Sequence, residues 1–285
     1  MGNLYMCATP IGNLAEMTAR GIEILKAADL ICAEDTRHTL KLLNHFQIVA
    51  KKLISYHEHN KARQNEYILS TLAQGGEVVV VSDAGYPGIS DPGEELVSLA
   101  VQRGFKVFTI SGGNAALSAL VASGLPTRTF YFAGFLPKTS KHRRQELQQL
   151  EKLNTTLIFY EAPHRLAETL RALLEQLGDR RIAVARELTK IHEEIFRGRI
   201  SEALQWLAEN GARGEFVLVV ASAEISGLAL ESEPPATENS PADLEQLLLN
   251  YLAQGLDKKQ AIAQISKKLN IPKKVVYNTF INKEN

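Results

Sequence analysis

Short runs of apolar residues alternate with longer amphipathic stretches over the first 122 residues of the chain. The apolar runs predict β-strands, and between them apolar residues recur every three or four positions, the period of an α-helix. Strands are predicted at residues 4–8, 30–33, 53–56, 78–81 and 106–110, and helices at residues 19–28, 39–46, 63–74, 94–103 and 114–122. This alternation is typical of an α/β domain with a largely parallel, twisted sheet.

The pattern changes after Gly124 and Pro126, which end the last of these helices. Shorter strands now mix with helices in an order that does not alternate strictly. Strands are predicted at residues 130–132, 156–160, 182–185, 195–197 and 216–220, and helices at residues 141–150, 165–177 and 201–208. We interpret this part as a second α/β domain with a mixed sheet.

The segment after residue 222 is acidic and rich in Ser and Pro, which predicts a flexible linker over residues 223–242. Beyond it the pattern predicts three short helices, with Asp257 as an N-cap and Pro272 as a first helical residue. The short second turn resembles a helix-turn-helix. The predicted organisation is therefore two α/β domains at residues 1–113 and 114–222, the linker, and a helical module at residues 243–285. The lysines of this module outnumber its nearby acids, which favours nucleic-acid contact over a solvated lysine face.

Composition narrows the class of protein only slightly. The 32 basic and 32 acidic residues balance, so the net charge does not indicate a polyanionic partner, although a neutral total can hide a basic face. Cys7 and Cys32 both fall in apolar strands and are interpreted as core residues of a reducing compartment. No apolar run approaches the ~20 residues of a membrane span, and the N-terminus lacks a secretory pattern. We expect a cytoplasmic protein without a membrane partner.

Residues 78–93, VVVVSDAGYPGISDPG, contain the clearest candidate ligand site. Four successive valines suit a strand buried on both faces, and the glycines and prolines that follow stop a helix and let backbone groups approach a ligand. Asp83 and Asp91 place carboxylates at the carboxyl end of that strand, where ligands bind in open α/β sheets. The alternative is a crossover loop whose aspartates only cap the next turn or helix.

Other predicted strands of the first domain end in polar or small residues. The first runs into Thr9-Pro10-Ile11-Gly12-Asn13, the second into Ala33-Glu34-Asp35-Thr36-Arg37, and the fifth into Ser111-Gly112-Gly113-Asn114-Ala115. A small-residue turn that opens a helix leaves backbone N–H groups free for an electronegative ligand. The chain contains neither the G-x-G-x-x-G fingerprint nor a P-loop, so ordinary dinucleotide and P-loop nucleotide binding lose support.

Two strands of the second domain also end in charged side chains. Glu161 and Arg165 follow one of them, and Glu187 and Lys190 follow the other. They are candidate site residues, and the alternative is that such residues form buried ion pairs that only hold the surface between the domains. His57 and His59 have alternate spacing but no evident third ligand, so no metal site is predicted.

Eight motifs in a fixed order resemble the tetrapyrrole methylase family of S-adenosylmethionine-dependent methyltransferases, in particular its members that act on ribosomal RNA. The motifs are TPIGN, AEDTR, SDAGYPGISDPG, ASGLP, GFLP, EAPHR, ARELTK and GEFVLVV. The resemblance extends from about residue 4 to residue 221, and the C-terminal helical module is also similar.

The resemblance implies two α/β domains with the cofactor in the cleft between them, a homodimer, and methylation of a cytidine ribose 2′-hydroxyl in the decoding region of 16S ribosomal RNA. The S-adenosyl-L-methionine contacts that it implies, by motif matching, are Pro10, Gly12, Asp83, Ala84, Gly85, Ile89, Ser90, Asp91, Gly112, Ala115, Leu125 and Pro126. Two departures from the family pattern concern this site. Ser111 and Gly113 replace prolines, and Tyr86 replaces the usual threonine, so we expect weaker cofactor affinity with binding retained.

A ribose hydroxyl is a poor nucleophile at neutral pH, and a general base is worth roughly 10² to 10⁴ in rate where one is used. The candidate bases or hydroxyl-orienting groups are Asp35, Glu161, Glu187 and Lys190, and the sequence does not choose among them. The predicted RNA contacts are Arg37, Lys141, Arg143, Arg144, Arg165, Lys258, Lys259, Lys267, Lys268, Lys273 and Lys274. For Lys141, Arg143 and Arg144, and for the six lysines between residues 258 and 274 (the lysine-rich tail), the alternative is a solvated helix face.

Two other functions stay open at this point. A methyltransferase that acts on a small tetrapyrrole shares the core and does not need the lysine-rich tail. A catalytically inactive RNA-binding factor of ribosome assembly keeps the fold and the tail but loses the cofactor, and the altered turn at residues 111–115 is its only support.

Overall fold

The computed structural model describes residues 1–228, 251 and 256–269. The chain divides into two units, Met1–Ser226 and Gly227–Asn285. The first unit contains two five-stranded sheets, one formed by residues before 113 and the other by residues after it. The predicted α/β fold class, with a largely parallel first sheet and a mixed second sheet, is confirmed; the division into two domains and their boundaries stay predictions.

The first sheet is entirely parallel, with strand order β3-β2-β4-β1-β5. Its strands are β1 (Asn3–Cys7), β2 (Leu30–Ala33), β3 (Leu53–Ser55), β4 (Val78–Val81) and β5 (Lys106–Ile110). The helices between them are α1 (Ala19–Ala27), α2 (Thr36–His45), α3 (Lys61–Ala73) and α4 (Glu94–Gln102), with a short 3-10 helix at Leu14–Glu16.

The valine run of β4 shows why this sheet is buried on both faces. Val78 and Val80 pack in one apolar cluster with residues of α3 and α4, and Val79 and Val81 pack in another with residues of α1 and α2. Successive side chains of a strand point to opposite faces, so a central parallel strand covered by helices on both sides needs an uninterrupted apolar run. Both cysteines are buried and free, and burial raises the pKa of Cys7 to about 12.

The second sheet is mixed, with strand order β6-β7-β10-β8-β9; only β6 and β7 run parallel. Its strands are β6 (Phe130–Phe135), β7 (Thr156–Glu161), β8 (Arg181–Arg186), β9 (Glu194–Arg199) and β10 (Phe216–Val220). The helices of this half are α5 (Ala115–Ala122), α6 (Ser140–Leu150), α7 (Leu166–Leu177) and α8 (Ile200–Asn210).

Each face of the second sheet has its own apolar cluster. Leu157 and Phe159 point toward residues of α6, α7 and α8, whereas Ile158 points toward α5. Because α5 follows the last strand of the first sheet but packs on the second, the turn at residues 111–114 connects the two sheets.

The C-terminal part of the chain is described only in pieces. A short helix, α9 (Ala223–Leu228), lies where the sequence predicts the beginning of a flexible linker; residues 229–242 of that linker lie outside the described residues. In the second unit, α10 (Lys258–Leu269) begins after Asp257, whose Oδ1 accepts a hydrogen bond from the Gln260 backbone N–H at 2.7 Å. The predicted N-cap at Asp257 is therefore confirmed, and the predicted Pro272 helix start lies outside the described residues. In the described parts of the chain no helix is long and apolar enough to span a bilayer.

Candidate functional site

The loop that follows β4 is anchored on the end of β1. The backbone N–H of Thr9 donates to the Gly85 carbonyl at 2.9 Å, and the Gly85 N–H donates to the Thr9 carbonyl at 3.0 Å. The Thr9 hydroxyl also donates to the Ser82 carbonyl at 3.1 Å. Gly85 has φ +75° and Ser90 has φ +62°, both in the left-handed region. Non-glycine residues rarely adopt this conformation and are concentrated at functional sites, so the loop has the strained geometry of a binding loop.

This loop forms one wall of a cavity with a volume of about 270 Å³. The opposite wall comes from the second sheet, so the carboxyl ends of β4, β7 and β8 face the same space. The cavity is lined by Ile11, Glu34, Asp83, Ala84, Gly85, Tyr86, Ile89, Ser90, Asp91, Asn114, Ala115, Phe135, Tyr160, Glu161, Glu187, Leu188, Lys190, Glu215, Phe216 and Val217. The cavity thus combines a glycine-rich loop, several carboxylates and apolar surface.

Seven of the residues that the sequence predicts as cofactor contacts line this cavity: Asp83, Ala84, Gly85, Ile89, Ser90, Asp91 and Ala115. Asp83 is held in place by the end of β2, because its Oδ1 accepts from the Asp35 backbone N–H at 3.1 Å and its Oδ2 lies 3.2 Å from Nδ1 of His38. The strand ends therefore meet at one edge of the sheet, as the parallel arrangement requires.

The other predicted cofactor contacts lie outside the cavity lining. Pro10 is buried, Leu125 packs in the core beside α5, and the Pro126 carbonyl accepts a hydrogen bond from the Thr156 hydroxyl at 2.8 Å. A Cβ atom on Gly12 would lie 2.8 Å from Cγ of Lys190 and 3.0 Å from the Leu188 carbonyl oxygen. The glycine therefore permits close contact between the two halves of the first unit.

The two departures from the family pattern contact each other. The backbone N–H of Gly112 donates to the Tyr86 hydroxyl at 3.3 Å. A Cβ atom on Gly112 would lie 2.8 Å from Cβ of Ala8, so this glycine also packs tightly against the end of β1. The turn that lacks both prolines is thus held by a tyrosine hydroxyl and by close packing.

Two of the four candidate catalytic residues, Asp35 and Glu161, already form hydrogen bonds and ion pairs with other residues of the protein. Asp35 caps α2 and pairs with Arg37 at 2.6 Å, which holds the pKa of the Asp35 carboxyl well below its usual range, and it lies outside the cavity lining. Glu161 is 1% exposed. Its Oε2 accepts from the Thr169 hydroxyl at 2.6 Å, and its Oε1 accepts from the Ala162 N–H at 2.9 Å and lies 3.5 Å from Nε of Arg165. The geometry gives Glu161 a structural role.

Glu187 and Lys190 form the remaining candidate pair. Nζ of Lys190 donates to Oε1 of Glu187 at 2.8 Å, and both side chains line the cavity and are partly exposed. Glu187 has φ +52° and Thr189 has φ +68°, so the loop after β8 is strained in the same way as the loop after β4. These two side chains are therefore the candidates that remain accessible from the cavity.

The structure also adds two carboxylates that are not among the predicted site residues. Glu34 and Glu215 line the cavity with Asp83 and Asp91. Burial, followed by the charges of Glu34, Asp83 and Glu215, raises the pKa of Asp91 to about 7. Burial also raises the pKa of Glu34, with a contribution from Asp83. Four carboxyl groups thus share the cavity, which favours a ligand with cationic groups.

Glu215 could not be found by examining the carboxyl ends of strands. It precedes β10, which runs antiparallel to β7 and β8 and pairs Phe216 with Glu161 and with Arg186. The amino end of β10 therefore lies beside the carboxyl ends of its neighbours. Tyr160 and Val217 are strand residues, and Leu188 lies in the turn after β8; as single aromatic or apolar residues they carry no distinguishing sequence signal.

The predicted RNA contacts divide into exposed and buried side chains. Lys141, Lys258 and Lys259 are exposed, as are Arg37, paired with Asp35, and Arg144, paired with Glu175. Arg143 is predicted to contact RNA, but its side chain is 5% exposed and ion-paired with Glu168, so it does not offer a free cation to a phosphate.

Arg165 requires the same correction. Its side chain is 14% exposed, and its Nη2 donates to the Leu136 carbonyl at 2.7 Å and to the Pro137 carbonyl at 3.2 Å. Both arginines hold the second half together and are not free to contact phosphate. The predictions for the side chains of Lys267, Lys268, Lys273 and Lys274 lie outside the described residues.

His57 and His59 do not form a metal site with their neighbours. Their rings lie 6.0 Å apart, and the Asn60 side-chain nitrogen lies 3.3 Å from Nε2 of His57. Within the part of the chain that the structure describes, no group of three or more His, Cys, Asp or Glu side chains is arranged to hold a metal ion.

The raised pKa of Asp91 makes the free energy of unfolding depend on pH. Between its ordinary pKa of 3.8 and its folded value of about 7, the folded protein binds a proton that the unfolded chain has lost, so stability falls as pH rises through this window. We expect Asp91→Asn to raise the free energy of unfolding by roughly 1–2 kcal/mol at pH 8, since partial exposure screens the repulsion. Below about pH 4 the gain should vanish.

Urea denaturation followed by circular dichroism at pH 5 and pH 8 measures this difference. Glu94→Gln, which removes an exposed carboxylate at the beginning of α4, is the control and should change stability little at either pH. An Asp91→Asn effect that is equal at both pH values would contradict the expected titration.

Comparison of the sequence with known protein families gives a match over most of the first unit. Residues 3–204 match the family described as Tetrapyrrole (Corrin/Porphyrin) Methylases. The chain therefore belongs to the tetrapyrrole methylase family, and the family that the motifs predict is confirmed.

The curated relatives share nearly the whole length of the chain. The protein of Halalkalibacterium halodurans named ribosomal RNA small subunit methyltransferase I is 49% identical over 280 residues, which cover 98% of this chain and 94% of the relative. The protein of the same name from Bacillus subtilis is 46% identical over the same share of both chains.

Among solved structures, the uroporphyrin-III C-methyltransferase of Thermus thermophilus complexed with S-adenosyl homocysteine has a TM-score of 0.55 at 18% identity. It covers 77% of this chain and 97% of that one. At this identity the likeness shows the fold alone.

Proposed function

We propose that this chain transfers a methyl group from S-adenosylmethionine to a cytidine ribose 2′-hydroxyl in the decoding region of 16S ribosomal RNA. The observation that carries the proposal is the cavity. The loop singled out in the sequence and a partly exposed Glu187–Lys190 pair line the same space. This occurs in a chain that is 49% identical, over nearly its whole length, to a ribosomal RNA small subunit methyltransferase I.

The lining of the cavity fits the cofactor. S-adenosylmethionine, when bound, supplies an electrophilic methyl group on a positively charged sulfur. Asp83 and Asp91 would complement its cationic groups, and Ile11, Leu188 and Val217 offer apolar surface to its adenosine. The left-handed residues Gly85 and Ser90 bring backbone close to the same space. A site built in this way binds the two ends of the cofactor and leaves alignment at the reacting atoms as the main catalytic contribution.

We assign the acceptor hydroxyl to the Glu187–Lys190 pair. Of the four predicted candidates, these two are partly exposed and face the cavity, whereas Asp35 and Glu161 are occupied by Arg37, Thr169 and Arg165. The Glu187 carboxylate would orient the hydroxyl and accept its proton. The Lys190 ammonium holds that carboxylate in place through its 2.8 Å hydrogen bond.

RNA would reach the cavity along exposed cations. Lys141 and Arg144 lie on α6, which follows β6 and the cavity residue Phe135. Arg37 lies at the beginning of α2, beside the end of β2. Lys258 and Lys259, at the beginning of α10 in the second unit, are separate proposed RNA contacts. Contacts of this type neutralise phosphates and position the RNA without reading its sequence.

The small ribosomal subunit as substrate and a homodimeric state complete the proposal. The dimer rests on the family resemblance, and light scattering coupled to size-exclusion chromatography tests it directly. A mass of twice 31.4 kDa is the expected result.

The decisive experiment supplies tritiated S-adenosylmethionine with small subunits that lack decoding-region modifications. We expect label in the RNA, and nuclease digestion with mass spectrometry should place it on a cytidine ribose. Mature, fully modified subunits are the matched control and should accept little label. No transfer, together with no cofactor binding by calorimetry, would favour the inactive RNA-binding factor. Transfer to a tetrapyrrole and not to RNA would favour the small-molecule methyltransferase.

A further inference from the structure

Phe135 is a large apolar side chain left half exposed in the wall of the cavity. It is the last residue of β6, its side chain is 51% exposed, and it lines the cavity. Exposed aromatic rings in a pocket that takes a planar ligand are typical binding surfaces, since they provide a rigid apolar face.

A β-bulge aims this ring into the cavity. In the pairing of β6 with β7 the register shifts between Phe132 and Gly134, and Gly134 has φ +65°. Ala133 packs toward the cluster of α6, α7 and α8, so in a regular strand Phe135, two residues later, would point the same way. The extra residue reverses this, and Phe135 instead contacts Tyr160, which packs toward the opposite cluster.

The ring is also held in position by other aromatic side chains. Tyr160 lies between Phe132 and Phe135, with ring centroids 5.0 Å and 5.6 Å away and interplanar angles of 73° and 62°. Tyr160 also interacts with the backbone of Ala116 at the beginning of α5. A pre-oriented ring loses little conformational entropy when a ligand stacks on it.

The chain that follows Phe135 indicates which ligand it meets. Lys138 and Lys141 are both exposed and follow within six residues, after Leu136 and Pro137. S-adenosylmethionine has a single carboxylate and no phosphate, so it does not account for two cations at this position. An RNA strand whose phosphates contact these lysines would bring its bases to the adjacent aromatic ring.

We propose that Phe135 is the stacking surface for the target nucleobase, a cytosine turned out of its RNA stack so that its ribose enters the cavity. This inference rests on the proposed function and names the residue that holds the substrate base. Stacking on aromatic side chains is a general means of binding an unstacked RNA base, and the energy it provides does not depend on base identity.

The test compares Phe135→Ala, Phe135→Leu and Phe135→Trp with wild type. The control is Tyr131→Ala, which removes a ring of similar exposure (47%) from the same strand but outside the cavity lining. We expect Phe135→Ala to raise the KM for undermodified small subunits about 10- to 50-fold, the size of a lost base stack. Phe135→Trp should restore the KM, Phe135→Leu should restore it only in part, and Tyr131→Ala should behave as wild type.

Two further readouts separate base stacking from cofactor binding. The Kd for S-adenosylmethionine, measured by calorimetry, should change less than about twofold in Phe135→Ala. A short decoding-region RNA with pyrrolocytidine at the target position should lose fluorescence on binding to wild type with S-adenosylhomocysteine, and lose less with Phe135→Ala. If Phe135→Ala raises the Kd for the cofactor and leaves the KM for RNA unchanged, or changes neither, the stacking inference is overturned. The proposed function would still stand in that case, provided that the wild-type protein methylates the RNA. Absence of transfer by wild type would overturn both.

Discussion

Gly214→Ala should reduce kcat about 100-fold while leaving the protein folded. A Cβ atom at Gly214 would overlap the carboxylate of Glu187, and the end of that flexible side chain is what must move. Its displacement breaks the 2.8 Å contact with Lys190 and removes the group that we assign to the acceptor hydroxyl. A misplacement of about 1 Å at a reacting group is enough for a loss of this size.

A second glycine of the same loop provides the matched control. Gly211 has φ +69°, close to the +76° of Gly214, but a Cβ atom there would have open space around it. Both alanine variants should therefore lose about 1 kcal/mol of stability from the left-handed backbone conformation, and only Gly214→Ala should lose activity.

Methylation rates at saturating cofactor and RNA, together with urea denaturation of both variants, measure these effects. Glu187→Gln should reproduce the kinetic defect of Gly214→Ala without the loss of stability. Equal activity of the two glycine variants would show that the position of Glu187 does not matter for the reaction.

Glu161→Ala should lower the free energy of unfolding by about 3 kcal/mol. The buried carboxylate accepts hydrogen bonds from the Thr169 hydroxyl and the Ala162 N–H and pairs with Arg165. Its removal leaves the fully buried Thr169 hydroxyl and a mostly buried guanidinium without this acceptor, and breaking such a pair from one side costs roughly 3–5 kcal/mol. We expect the lower end of this range because the Arg165 side chain still donates hydrogen bonds to the carbonyls of Leu136 and Pro137.

Glu161→Gln distinguishes a structural role from a catalytic one. Glutamine keeps the shape and an acceptor oxygen, so we expect a smaller loss, roughly 1–2 kcal/mol. Its methylation rate, measured well below its unfolding temperature, should stay within about threefold of wild type. A loss of 10² to 10⁴ in kcat would instead identify Glu161 as the general base and contradict the structural role.

The contrast between Glu161 and Glu187 follows from their surroundings. Both carboxylates lie near the ends of strands in the second sheet and line the same cavity. One is enclosed by α7 and saturated with donors, and the other is partly exposed on a strained loop whose two left-handed residues hold its orientation. We therefore expect the same residue type to have different roles at equivalent strand ends, with the proposed acceptor site on the side of β8.

The sequence by itself determined the order of elements and the main cavity loop. The predicted limits of β2, β4, β5 and β10 agree with the structure, because apolar runs and helical periods depend on local side-chain alternation. Asp83 and Asp91 were predicted to lie at a ligand site because parallel strands place their carboxyl ends at one edge. Both line the cavity.

Only the tertiary structure decided which charged side chains are available. Arg143 pairs with Glu168, 25 residues away on another helix, so its burial depends on how α6 packs against α7. Glu215 lines the cavity because β10 runs antiparallel to its neighbours. Phe135 lines it because a one-residue bulge in β6 turns its side chain to that face of the sheet. Packing partners, strand direction and register are contacts between residues distant in sequence, and a local pattern carries no information about them.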